Sequence, residues 1–248
     1  MTLSKSPPTV LWLRRDLRLS DHPAWQAALQ IGAPVIPVFI LDAQFDAYGA
    51  APKWRLGESL RALAADLAER GSRLILRRGE AHGVLRDLIA ETGANHVVWS
   101  RLYDSRSIAR DREIKSGLIA RDIDVISVNA SLLFEPWTVE TKTGGLYRVY
   151  TPFWKAVRDR EVRGPLAMSS DLAAPEAWPA SEQLDDWRLG AAMNRGAGIV
   201  ARHAVVGEAA ATARLDTFID QRIDRYKSER DFPERHAVSG LSENLTYG

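Results

Sequence analysis

The first half of this sequence predicts an α/β fold: an open, mostly parallel five-stranded sheet with helices on both faces. A long connector and the start of an all-α region are expected to follow. Three observations carry that expectation. Short β runs alternate with amphipathic helical stretches, the rhythm of repeated βαβ units. The β runs are continuously apolar rather than alternating, as strands covered on both faces should be. Beyond about residue 135 the rhythm stops, and the chain turns aromatic-rich and irregular, then rich in Pro, Ala, Ser and Gly.

The elements can be justified in order. TVLWL (9–13) reads as the first strand and PVIPVFIL (34–41) as the second. Leu56, Leu60, Leu63 and Leu67 then fall on one helical face, and Gly71 stops that helix. RLILRRG (73–79) gives a third strand. Val84, Leu85, Leu88 and Ile89 form a second helical stripe ended by Gly93. HVVWS (96–100) is a fourth strand, residues 105–121 a third helix, and DVISV (124–128) a fifth strand. Gly144 and Gly145 suggest a turn between two short extended pieces. Thr151 before Pro152 predicts a helix start, with the hydroxyl as cap. Residues 164–198 read as a connector ordered by Trp178 and Trp187. Ala211, Leu215, Phe218, Ile219, Ile223 and Tyr226 trace one final helical stripe.

Composition narrows the function classes. The 248 residues carry a net charge of +1, so the overall balance points to neither nucleic acid nor a membrane surface. With no cysteine there are no disulfides, thiolate metal sites or Cys nucleophile. No run approaches a membrane span, and the N-terminus reads as a short disordered lead-in. The eight tryptophans suit core and interface packing.

Common ligand motifs are missing. There is no GxGxxG after the first strand, no GxxxxGK[ST] and no GxSxG. The five histidines never stand at metal spacing, so no metal site is expected. A ligand of an open parallel sheet would still sit at the carboxyl ends of the strands, here RRDLRLSD, DAQFDA, RRGE and SRLYDSR. Arg14, Arg15, Asp16, Arg18 and Asp21 either meet such a ligand or pair with one another and neighbouring loops. Their alternating sign favours pairing, because an anion site wants unpaired cations.

Three motifs in order carry a resemblance. VLWLRRDLRLSDHPAW resembles the R-x-D-L-R-x-x-D-N turn that opens the DNA photolyase and cryptochrome family, with His22 in place of asparagine. GGLYRVYTPFWKAV is similar to the family's T-P-F element. The segment 207–248, GEAAATARLDTFIDQRIDRYKSERDFPERHAVSGLSENLTYG, resembles the family's GE…Y-x-x-x-R-D-x-P…T-S-R-L-S stretch. The resemblance implies a Rossmann-like antenna-type domain over 1–135, an interdomain linker over 136–200, and from 201 to 248 the beginning of a helical FAD-binding domain. In the family the first turn serves mainly to fix the fold.

It also implies a cytoplasmic, monomeric flavoprotein that repairs pyrimidine dimers in DNA with light. In that reaction excited reduced FAD gives an electron to the dimer and recovers it after splitting. Tyr226, Val238, Ser239, Gly240, Leu241 and Ser242 match the family's FAD-binding positions, and Arg230 matches one that contacts DNA phosphate. The physical case for 238–242 is that small residues let backbone N–H groups approach a diphosphate, hydroxyls donate, and a following helix offers its positive end. Taken alone, the same residues would serve as a turn and N-cap, and Arg230 could pair with Asp231 or Glu234. Val238 and Gly240 stand where the family has threonine and arginine, so one hydroxyl and one guanidinium are lost. Folate-antenna members carry Asn and Glu where this chain has Arg106 and Ser107, so a folate antenna is not expected. A deazaflavin, a flavin or no second chromophore stays open.

The chain stops at Gly248 inside a motif, and a truncated product or fragment is expected. No catalytic residue is assigned within it, and the last helices should expose their apolar stripe. Two alternatives accompany the repair enzyme: a cryptochrome-type photoreceptor without repair, and an α/β binding module that never holds flavin.

Overall fold

The computed structural model describes residues 6–168 and 172–248. Most of the expected disordered lead-in, and three residues of the connector, lie outside them. Five parallel strands form one sheet: β1 (Thr9–Leu13), β2 (Val35–Leu41), β3 (Ile75–Arg78), β4 (His96–Ser100) and β5 (Asp124–Val128). Their order is β3-β2-β1-β4-β5, so the strand order reverses between β1 and β4, the switch point of a doubly wound sheet. Register follows from Thr9 pairing with Val35 on one side and His96 on the other. All five residues of β1 are buried, which explains why it shows no alternation.

The helices α1 (Pro23–Gln30), α2 (Ala50–Glu69), α3 (Ala81–Thr92) and α4 (Ser105–Ile119) cover the two faces. Leu56, Leu60, Leu63 and Leu67 of α2 are buried in one core with Leu11, Leu13 and Phe39. Leu85 and Leu88 of α3 join Val10, Trp12 and Trp99 in the other. Three of the four starts have a side-chain cap. Glu80 caps α3 by accepting the His82 and Gly83 N–H groups, and Asp104 caps α4 through Ser107 N–H. Gly93 ends α3 in the left-handed region at φ 69°. At α1, His22 does what asparagine does at an N-cap: Nδ1 accepts the Trp25 N–H, with Pro23 following.

Beyond β5 come α5 (Tyr150–Val157), α6 (Arg195–Val200), α7 (Glu208–Gln221) and α8 (Ile223–Glu229). Several expectations need correcting here. Thr151 is not the cap of α5; Val149 occupies that position without a side-chain bond. The first turn has orphan N–H groups at several positions, so Pro152 is tolerated as the third helical residue, two steps further in. The glycine turn forms, with Thr141 N–H bonding Gly145 O, but no strand flanks it among the described residues. The connector is structured: it holds two short 3₁₀ turns, Leu184–Trp187 and Ala191–Met193, and then α6. Trp187 is 7% exposed in the core beside Phe39, because its indole N–H is satisfied by Glu182 at 2.7 Å. The last stripe is not one helix. Arg222, at φ −131°, breaks it into α7 and α8. Leu215, Ile219, Ile223 and Tyr226 are exposed, as expected for that stripe.

Candidate functional site

The carboxyl ends of the strands carry two cavities on either side of a charged plug. The plug is the turn after β1. Arg14, buried, bonds Asp111 Oδ2 at 2.6 Å and Ser100 O at the end of β4. Its guanidinium lies 4.6 Å from the Trp12 ring centre, and that of Arg110 lies 4.8 Å from it. Arg110 in turn pairs with Asp42 and Asp111. Asp16 accepts the Arg14 N–H at 2.8 Å and has His22 Nε2 3.1 Å from its Oδ2. Burial alone would push this carboxyl up, but the neighbouring His22 and the Arg14 N–H hold it well below the usual carboxylate range. Asp21 pairs with Arg163, while Arg15 and Arg18 bond backbone carbonyls. The opening charges therefore clamp the fold and fill the switch point.

The larger cavity, about 820 Å³, opens beside the plug. Three of the four expected strand-end loops line it, through Asp42–Asp46, Arg78–Ala81, and Arg106 with Arg110. Trp187 supplies an aromatic wall. Arg106 and Arg188 line it too, and neither forms an ion pair among the described residues. The lining is mixed in charge, since Lys53 and the carboxylates of Asp46 and Glu80 stand there as well. Ser107 is buried, its N–H bonded to Asp104, so it serves the helix and not the cavity. The first loop instead lines a second cavity of about 510 Å³ with Arg15, Arg18 and Arg101.

The C-terminal loop lies against α7. Gly240 takes φ 66°, and a Cβ there would meet nothing closer than Arg214 Cδ at 3.8 Å. Glycine is thus favoured by the backbone angle, not by crowding. The expected helix after the loop is only a three-residue 3₁₀ turn, Leu241–Glu243. The positive helix end proposed for phosphate is therefore not available, since the dipole needs several aligned peptides. What remains is a set of local donors. Ser239 lies half-buried, and its hydroxyl takes only a long, 3.5 Å bond from Leu241 N–H. Ser242 is exposed. A cavity of about 400 Å³ between α7 and the loop is lined by Arg214, Thr217, Arg222, Ser239 and Gly240, among others. Small residues, a free hydroxyl and guanidiniums around a space of that size fit a diphosphate.

The structure brings Ser239 and Gly240 together at this cavity; Val238 is exposed beside it, its carbonyl accepting from Arg222. Tyr226 and Arg230 form a separate pair on α8 and its end. The Arg230 guanidinium lies 5.5 Å from the Tyr226 ring centre and 3.7 Å from Asp231. Tyr226 also meets Phe218 edge-on at 5.9 Å. Sequence reasoning missed Arg214 and Arg222. Their only signal was position, Arg214 on α7 and Arg222 just after it.

A doubly wound parallel sheet with a cavity at its strand ends, joined to helices that hold a Ser/Gly loop, defines a Rossmann-like α/β protein. The comparisons make this specific. The DNA photolyase family matches residues 9–176, and the chain belongs to that family. It is 43% identical over 245 residues to a deoxyribodipyrimidine photo-lyase of Agrobacterium fabrum, covering 98% of this chain and 51% of that protein. It is 31% identical to Cryptochrome-1 of Arabidopsis thaliana, covering 97% of this chain and 36% of that one. The crystal structure of a bacterial class III photolyase from Agrobacterium tumefaciens superposes with TM-score 0.92 at 42% identity, over 98% of this chain and 50% of the other. The chain thus spans about half the length of these photolyase relatives. No described helix is long and apolar enough to cross a membrane.

Proposed function

We propose that this chain serves light-driven repair of pyrimidine dimers in DNA, as a deoxyribodipyrimidine photolyase. The single observation that carries this reading is the 43% identity, spread over nearly the whole chain, to a protein of that name. Its identity to the plant cryptochrome is lower.

In this reading FAD is held by Tyr226 and the loop Val238, Ser239, Gly240, Leu241 and Ser242. The chemistry supplied by bound FAD is absorption of light and transfer of an electron to the dimer, which splits and returns it. The chain's own residues bind and orient. Ser239 donates its hydroxyl to the diphosphate, and Gly240 gives the loop its left-handed bend. Arg230, exposed at the end of α8, offers its guanidinium to a DNA phosphate, exchanging the weak contact with Asp231. The 820 Å³ cavity of the α/β part takes a second, light-harvesting chromophore of anionic character.

The experiment is to express these residues with whatever follows them in the gene, record the absorption and assay light-dependent repair of ultraviolet-irradiated DNA. A flavin band with repair supports the reading. A flavin band without repair favours the photoreceptor, and a folded, colourless protein overturns both.

A further inference from the structure

We infer that Arg222 supplies the guanidinium that meets the diphosphate of the dinucleotide, while Arg214 is a positioning residue that holds the loop. The inference rests on the FAD reading above and adds residues to it that the family motif does not contain. The two arginines lie on or next to α7, face the same 400 Å³ cavity, and differ in how they are occupied.

Arg214 is spent. Its Nη1 donates to Gly240 O at 2.8 Å, Glu243 Oε1 at 2.5 Å and Asn244 Oδ1 at 3.0 Å. Glu243 pairs with it and is shared with Arg55 of α2 at 3.2 Å. With a carboxylate and two further acceptors gathered on Nη1, this guanidinium is anchored to the loop and its turn. What it does is fix the Gly240 carbonyl and the turn that follows.

Arg222 is free in the relevant sense. Its side chain makes one weak bond, Nη1 to Val238 O at 3.3 Å, and no carboxylate lies within ion-pair distance among the described residues. It is half-buried, so its charge is partly desolvated without compensation. An anion entering the cavity would meet this cation and the Ser239 hydroxyl together. Gly240 stands where the family motif has arginine, and a long side chain at φ 66° would be strained. A cation from the helix side restores the charge that the loop itself lacks.

The bond from Arg222 to Val238 O also directs the loop. No peptide in the described chain is cis, and a trans peptide sets its N–H opposite its C=O. With the Val238 carbonyl turned toward Arg222, the Ser239 N–H faces away and has no protein acceptor among the described residues.

The test titrates the full chain with FAD and, separately, with riboflavin, which lacks the diphosphate. Arg222→Ala is expected to weaken FAD binding by about ten- to a hundredfold, the usual cost of one charge-assisted hydrogen bond. Riboflavin binding should change less than twofold. Arg222→Lys should recover part of the loss, and FAD binding to R222A should depend less steeply on salt. FAD binding as tight in R222A as in the unaltered chain overturns the inference alone. So does an equal loss for riboflavin, because that marks a structural role. If riboflavin binds too weakly to measure, the salt dependence decides: an unchanged slope overturns the assignment. Unaltered protein that binds no FAD overturns the flavin reading itself.

Discussion

The carboxylate of Glu208 accepts the backbone N–H groups of both Leu19 and Ser20, at 2.8 and 2.9 Å, across 189 and 188 residues of sequence. It joins the first turn of α7 to the loop after β1. Gly207 makes the approach possible: it takes φ 108°, and a Cβ there would stand 3.0 Å from Ala62 Cβ. The GE pair that opens the last sequence motif is therefore a clamp between two distant parts of the chain.

Removing that clamp has a readable cost. Glu208→Ala leaves two N–H groups without their acceptor and is expected to destabilise the chain by about 1–3 kcal/mol. Glu208→Gln keeps one acceptor oxygen and should lose about half as much. Urea denaturation measures both, and limited proteolysis around residues 200–207 should accelerate in the same order. Equal stability of E208A and the unaltered protein would show the contact to be idle.

The Arg14 plug predicts a larger effect. Its guanidinium is buried against Trp12 and bonded to Asp111 and Ser100 O. Arg14→Ala leaves Asp111 with Arg110 as its remaining partner and opens space at the switch point. A loss of about 3 kcal/mol is expected, at the lower end for a broken buried pair because one cation stays. Denaturant midpoints at unchanged m-value check it. A loss below 1 kcal/mol would mean that the turn contributes little to the fold.

How much of this could be read from the residues depends on how local the cause is. The strands were legible because their burial on both faces leaves continuous apolar runs, as in VIPVFIL of β2. The leucine stripe of α2 was legible for the same reason. The break at Arg222 was not, because apolar spacing runs unbroken from Phe218 through Ile219 to Ile223 while the backbone angle alone changes. Trp187 was legible as a residue that orders the connector, but its partner was not, since the glutamate that satisfies its indole gives no periodic signal. The Ser/Gly loop was readable as a motif. Its supports, Arg214 and Arg222, were not, because they reach it from 26 and 16 residues away.

The α/β cavity predicts a charge-sensitive ligand. Arg106 is exposed at its rim and lacks an ion pair. Arg106→Glu is expected to weaken binding of an anionic flavin such as FMN two- to fivefold, the scale of an exposed charge contact. Binding at the loop by α7 should be untouched, so FAD affinity is the internal control. An unchanged FMN affinity in a chain that binds FMN would remove Arg106 from the site.

Acid sensitivity should centre on Asp16. Burial works against its ionisation, yet His22 and the Arg14 N–H hold its folded carboxyl below the usual range. In the unfolded chain the same group titrates near about 4. A depressed folded value means that the unfolded state binds protons first as pH falls. The stabilisation is therefore complete above about pH 4 to 5 and is lost progressively as pH drops through the folded value. Asp16→Asn should cost about 2–3 kcal/mol at neutral pH and flatten the stability profile below pH 4. Parallel acid profiles for D16N and the unaltered chain would show that another carboxylate governs the acid limb.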